Sequence, residues 1–300
     1  MSRPAQALQN GMAVIAALLV VIAAAVVTTR IIEEQGLLAR TLASERERAQ
    51  AEWMLRSGMD WSRAILRFDA RTNATTRLDG IWAQPIVNLP VGPSSNPEQA
   101  LFTGQVEDEQ GKLNLRNLAQ DGNIQLPALQ ELARLFQSMR IPPEVADNVA
   151  LRVAAAQYGP DTEPSAPGLQ FVSDLAGVPG MTPQALALAG PFLTVLPSAT
   201  QVNVNTASAE VLAAVVPGMD IARAREVTLE RDRGVWFNNV GDFINRLQLT
   251  GDEVSQRLAV QSHWFRVSGE IAGDQTLVAM QGLLHREGQE AAPSVRWISH

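Results

Sequence analysis

The sequence predicts an α+β fold in which a long N-terminal helix and an antiparallel sheet are interrupted by a large all-α insertion. Three observations predict it. An uncharged run, Met12 to Thr29, passes without a proline into helix-forming sequence that reaches Phe68. Period-two alternation appears near residues 105–115 and returns only after 261. Between them, from Asp121 to about Val260, the texture is that of short helices and turns.

Composition narrows the function classes. The chain has 300 residues, a net charge of -7 and a pI near 5.1, against the basic face expected of a nucleic-acid binder. It contains no cysteine, which excludes disulfides, thiol nucleophiles and thiolate metal sites. Its three histidines, His263, His285 and His300, all lie in the last 40 residues. No serine–histidine–acid, metal or phosphate-loop pattern stands out, so no catalytic residue is expected.

Met12 to Thr29 is 18 residues without a charge, about the minimum for a membrane-spanning helix. One reading is a secretory signal cut after Ala23-Ala24-Ala25, so that the mature chain starts near Val26. The other keeps the segment as a membrane helix that continues outward. The residues after Arg30 favour the second. Ile31 to Phe68 holds two glycines, Gly36 and Gly58, and is rich in good helix formers. ASERERAQAE is polar on nearly all sides. Leu55, Met59, Ser62 and Leu66, with Trp61 and Ile65, recur at helical spacing and predict a buried face. A helix from Met12 to Phe68 would be roughly 85 Å long at about 1.5 Å per residue. That shape suits an assembly subunit better than a free enzyme.

Beyond the helix, IWAQPIVNL predicts an edge strand interrupted by Pro85. Gln105–Glu109 and Lys112–Leu115 predict a hairpin around Gln110-Gly111. In it Glu107 and Glu109 share one solvated face, with Asp108 opposite. LPALQELARLFQSM and PEVADNVALRVAAAQ predict two helices, the second opened by Pro142-Pro143. YGPDTEPSAPG is an exposed loop. SDLAGVPGMTPQALAL and EVLAAVVPGMDIARAR repeat a helix, a Pro-Gly-Met turn and a helix, and are expected to stack. Thr206 is expected to cap the helix that follows VNVNT. HWFRVSGEIAG and QTLVAMQGLLHR predict a hairpin around Gly273-Asp274, and SVRWISH a last strand.

The repeat is similar to helix-hairpin-helix (SAM-like) modules, which bind DNA backbone through amides at helix N-termini. Here the turn reads Gly218-Met219-Asp220, which puts a negative charge where a phosphate would sit. Residues 201–250 hold five arginines and six acids, with no cationic surplus for phosphates. No nucleic-acid partner is expected.

Several of these stretches resemble one known family. A short polar leader ending in glycine directly before an apolar helix resembles the class III signal of type IV pilins and type II secretion pseudopilins. The resemblance implies cleavage by prepilin peptidase between Gly11 and Met12, and N-methylation of Met12. Gln9-Asn10 replaces the family's basic residue beside the glycine, and Met12 its usual phenylalanine. The pilin glutamate of the fifth mature position is replaced by Ala16. A carboxylate there costs about 2.5 kcal/mol or more at a helix centre, and in the family it is matched by the amino terminus of the subunit above. Its absence is characteristic of the K-type minor pseudopilins. GKLNLRNL, PFLTVLPSAT and VNVNTA followed by VLAA also resemble that type.

The resemblance implies a pilin-like body carrying the insertion. The expected divisions are a leader (1–11), a transmembrane part (12–29), the first part of the body (30–120), the insertion (121–260) and closing strands (261–300). It further implies an inner-membrane, single-pass protein with most of the chain in the periplasm. The implied function is a tip complex that initiates and caps the pseudopilus. The implied partners are the I- and J-type minor pseudopilins, the major pseudopilin, prepilin peptidase and the inner-membrane secretion platform. Family members often carry an aspartate-rich calcium loop after the second helix. Here that loop offers only Asp161 and Glu163, too few for six to eight oxygen ligands, so no cofactor is expected. The competing readings are a Sec-exported periplasmic helix-hairpin-helix DNA-binding protein and a tip minor pilin of a type IV pilus.

Overall fold

A computed structural model describes residues 5–91, 100–159, 163–249, 252–273, 277–288 and 291–299, with side chains from Val14 onward except those of 252 and 253. Helix α1 runs unbroken from Ala5 to Thr72. It is followed by a 3-10 turn, Ile81–Ala83, and by strands β1 (Ile86–Val91) and β2 (Ala100–Asp108). The chain then enters the insertion, with short strands β3 (Leu113–Asn114), β4 (Ala119–Gln120) and β5 (Asn123–Ile124) and helices α2 (Leu126–Ser138), α3 (Pro143–Ala154) and α4 (Pro183–Ala189). Strands β6 (Leu193–Thr194) and β7 (Val202–Asn203) come next, then α5 (Ala209–Val215), α6 (Ile221–Asp232), α7 (Val240–Leu247), α8 (Asp252–Ser255) and β8 (Leu258–Ala259). Three long strands close the chain: β9 (Trp264–Ala272), β10 (Leu277–His285) and β11 (Ser294–Ser299).

The main sheet has the order β1-β2-β9-β10-β11, and every pairing in it is antiparallel. The insertion therefore leaves from β2 and returns to the strand beside it. α1 lies across one face of this sheet. Ala51, Leu55, Met59 and Leu66 pack with Phe265, Val267, Ile271, Met280 and Leu284 in one apolar core. The expected periodicity is seen at Leu55, Met59, Ser62 and Leu66, all buried, whereas Trp61 points to solvent and Ile65 is half-buried. Two glycines let the helix approach closely. A Cβ at Gly269 would stand 2.9 Å from Leu55 Cδ2, and one at Gly282 would stand 2.5 Å from Met59 Cε. Gly282→Ala displaces the flexible end of Met59 and crowds the Trp297 carbonyl at 3.3 Å, and is expected to cost about 1 kcal/mol. Urea unfolding that shows no loss would contradict this contact.

The insertion has its own core. Leu132, Leu135 and Phe136 of α2 pack with Val145 and Val149 of α3, with Val211, Leu212 and Val215 of α5, and with Phe243 of α7. Leu113, Leu115 and Leu118, which precede Asp121, belong to it as well. α2 is the central helix, packing on both α3 and α5. Arg134 Nε of α2 also donates to the Ala214 carbonyl of α5 at 2.6 Å.

The local sequence misled at three points. The hairpin expected at Gln110-Gly111 does not form. β2 pairs with β1 and β9, and β3 pairs in parallel with β6, 80 residues downstream. Asp108 ends the strand because its carboxylate accepts the Gln110 N–H at 2.8 Å and starts a 3-10 turn, Glu109–Gly111. The edge strand begins after Pro85 rather than spanning it, since Ile81–Ala83 is a 3-10 turn. The first repeat opens with a 3-10 helix, Val172–Gly177, where an α-helix was expected. The two Pro-Gly-Met turns are alike, with Gly180 at φ +82 and Gly218 at φ +77, conformations that glycine adopts freely. The second repeat packs on α2 through α5, while the first turn lies against α3, where Asn148 Nδ2 donates to the Pro179 carbonyl at 3.1 Å. The β9–β10 hairpin forms, with Ala272 opposite Leu277; Asp274 lies outside the described residues.

Candidate assembly face and the buried polar seam behind it

Val14 to Gln50 of α1 is exposed along its whole length. Within it the described span from Val14 is long and apolar enough to cross a membrane, with a mean hydropathy of 2.5. Its few polar groups are satisfied internally: the Thr28 and Thr29 hydroxyls donate to the Ala24 and Ala25 carbonyls at 2.8 and 2.9 Å. That is the arrangement hydrocarbon requires. Ala16 is an exposed methyl in this stretch. Gly11 and Met12 lie in the same continuous helix, and their side chains are outside the description.

Further along α1, the face opposite the sheet carries Trp53, Trp61 and Phe68, exposed by 68%, 52% and 63%. Spacings of eight and seven residues place the three on one side of the helix. The Arg56 guanidinium sits 5.5 Å from the Trp53 ring centre. Beside this face, a groove of about 440 Å³ opens between α1 and the edge strand β1. Gly58, Trp61, Ile86, Leu89 and Phe102 line it. Monomeric proteins seldom leave large aromatics clustered in water, so such a face marks a contact surface.

At the end of the sheet, beside the C-terminal end of α1, the insertion meets the body through buried polar groups. Asp108 Oδ2 accepts from Thr206 Oγ1 at 2.6 Å, from Asn203 Nδ2 at 3.2 Å and from Ser262 Oγ. Asn203 Nδ2 also reaches the Thr76 carbonyl at 3.1 Å. Burial pushes the Asp108 carboxyl above its ordinary range, against the four hydrogen bonds it accepts. Glu109 is fully buried and accepts from Lys112 Nζ at 2.7 Å, from Arg266 at 3.0 Å and from Thr194 Oγ1. Burial raises this carboxyl too, but the charges of Lys112 and Arg266 outweigh it, so Glu109 is held below its ordinary value. The solvated face expected for Glu107 and Glu109 is thus corrected. Alternation stops at Asp108, and the turn swings Glu109 inward. Thr206 is not the expected cap either. Ser208 caps α5, accepting the Val211 N–H at 3.3 Å, while the Thr206 hydroxyl is taken by the Asp108 carboxylate.

Sequence reasoning missed this seam. One signal was present: VNVN alternates two residue types, yet Val202, Asn203, Val204 and Asn205 are all buried. Asn205 clamps the backbone of one residue, donating to the Phe237 carbonyl at 2.9 Å and accepting the Phe237 N–H at 3.0 Å.

At the second Pro-Gly-Met turn, Asp220 accepts the Arg223 N–H at 2.7 Å as the cap of α6. Arg223 pairs with Glu226, so both the amide and the cation that would meet a phosphate are engaged within the turn. Asp161 lies outside the described residues and Glu163 is exposed. Among the described residues no three histidine, aspartate or glutamate side chains are grouped to hold a metal ion. His263 and His285 sit at the sheet's end, with His285 stacked on Trp264 at 4.1 Å; His300 is outside the description.

Two family models, both described as Type II secretion system (T2SS), protein K, match the insertion end to end, over residues 111–198 and 202–261. The Type II secretion system protein K of Pseudomonas aeruginosa is 26% identical over 92% of this chain and 88% of its own. The chain belongs to the type II secretion system protein K family. The fold agrees. A chain in the crystal structure of the GspK-GspI-GspJ complex from enterotoxigenic Escherichia coli matches with a TM-score of 0.66 at 20% identity, covering 85% of this chain and 97% of that one. Protein K is a minor pseudopilin, a structural component of the secretion machinery. In that light the exposed apolar start of α1 fits a single-pass membrane anchor, and the aromatic face lies further along the same helix.

Proposed function

We propose that this minor pseudopilin occupies the tip of the pseudopilus, where with the I and J types it initiates the fibre and caps it. The supporting observation is Ala16, a neutral residue in an apolar span. A subunit inside the shaft gains from a carboxylate that pairs with the amino terminus of the subunit above. A subunit with nothing above it would bury that charge unpaired, at about 2.5 kcal/mol or more. On this reading, prepilin peptidase removes residues 1–11 and methylates Met12. The anchor holds the protein in the inner membrane, with the body in the periplasm. The insertion, joined to the sheet at the end of β2 and the start of β9, makes the head too bulky for a further subunit. The presence of GspI and GspJ in the E. coli complex supports the choice of partners.

The aromatic face of α1 is the surface that such partners would cover. Aromatic anchors at an interface cost above 1 kcal/mol each when truncated. Trp53→Ala, Trp61→Ala and Phe68→Ala together are therefore expected to weaken association with the I and J types by about a hundredfold or more. The test is copurification of the full chain with both partners, alongside sequencing of the mature amino terminus. N-methyl-Met12 and loss of the complex in the triple variant are the expected results. A mature start near Val26, or a complex untouched by the three substitutions, would refute the reading.

A further inference from the structure

The insertion and the body do not share one apolar core. The core of the insertion draws its buried residues from Leu113 to Leu258. The core of the body draws its own from α1, Trp82 and strands β9 and β10. A small cluster of Leu196, Trp264 and Leu283 touches both sides. At the partly exposed rim Phe171 meets Trp297 edge to face, 5.3 Å between ring centres, and the remaining buried contacts at the chain crossings are polar. The chain crosses the boundary twice, at Gly111–Lys112 and at Val260–Gln261, and directional bonds surround both crossings. Asp108 of the body receives Asn203 and Thr206 of the insertion. Gln110 Nε2 donates to the Gln201 carbonyl at 3.2 Å, and its Oε1 accepts the His263 N–H at 2.6 Å. The Thr76 N–H donates to the Val260 carbonyl at 2.9 Å.

Apolar packing adheres without direction, whereas hydrogen bonds hold one geometry and weaken steeply when it is lost. We infer that Asp108, Asn203 and Thr206 form a latch that fixes the angle of the insertion on the shaft, and that the insertion swings as a rigid body when the latch opens, with both cores intact. This inference does not depend on the tip assignment, because it concerns one chain alone.

The test uses the full chain in detergent. The sequence has no cysteine, so Ser57→Cys on α1 and Arg225→Cys on α6 can be labelled specifically. Asn203→Ala with Thr206→Val removes the donors that the insertion contributes. Hydrogen exchange should speed up at least tenfold at the amides of Thr76, Ser262 and His263, and stay unchanged in α2, α5, β9 and β10. The label-to-label distance distribution should broaden. The unsubstituted chain gives a second measurement that needs no variant: in rising urea the seam amides should exchange before those of either core. If seam and cores exchange together in both experiments, or the distance distribution keeps its width, the insertion and shaft are one rigid unit and the latch is overturned.

Discussion

Arg286→Ala is expected to destabilise the protein by about 3–5 kcal/mol, the range for breaking a buried charge pair on one side. The side chain is buried, and its guanidinium satisfies four acceptors. Nη1 donates to the Leu66 carbonyl and to Asp69 Oδ2, both at 3.2 Å, and Nη2 donates to Thr76 Oγ1 at 2.8 Å and to the Ser262 carbonyl at 2.7 Å. It also lies 4.8 Å from the Phe265 ring centre. Burial lowers the guanidinium from its ordinary value while Asp69 supports it, and arginine stays protonated throughout. One residue thus ties the end of α1, the start of β9 and the end of β10. Removing it takes a donor from the buried Asp69 carboxylate, which keeps the Asn73 Nδ2 bond at 2.9 Å, and from the Leu66 and Ser262 carbonyls. Denaturant unfolding of the full chain, followed by tryptophan fluorescence, measures the loss. Arg286→Met with Asp69→Leu should recover much of it, because both charges then leave together. If Arg286→Ala unfolds at the wild-type midpoint, the node is ornamental.

Glu109→Gln is the second large effect, about 2–3 kcal/mol at neutral pH. The buried-pair range is discounted here because the Lys112 and Arg266 side chains keep 19% and 25% of their surface exposed. Its pH dependence has a definite sign. The folded-state carboxyl is held below its ordinary value of 4.5, so its contribution is complete above that value and is lost as pH falls through the lower, folded value. The stability gap between wild type and Glu109→Gln should be constant near neutrality and close in acid. Asp108 acts in the opposite sense. Its raised carboxyl binds a proton more tightly in the folded state, so its protonation favours folding as pH falls. The wild-type curve sums both terms, and the difference against Glu109→Gln isolates one. A gap that widens on acidification would show that Glu109 is not ionised in the fold.

How much was legible depends on the range of the forces involved. The buried stripe Leu55, Met59, Ser62 and Leu66 follows from helix geometry, which acts over four residues. Trp61 shares that spacing and still faces solvent, because periodicity does not say which arc of a helix the sheet will cover. The failed hairpin at Gln110-Gly111 was locally reasonable. Its competitors were Arg266 and Thr194, 157 and 85 residues away from Glu109, which no short window contains. The capping role given to Thr206 failed for the same reason, since Asp108 lies 98 residues from it.

By itself, the sequence determined the apolar anchor, the unbroken helix, the sheet interrupted by helices and the family these imply. Each of those is written in residues near one another, through hydropathy, helix propensity and quoted motifs. Only the tertiary structure decided where the chain's charges go. Asp108, Glu109 and Arg286 look like surface residues in any short segment. They are tolerated inside because partners from distant parts of the chain converge on them, and a buried charge is affordable only when such partners are already in place.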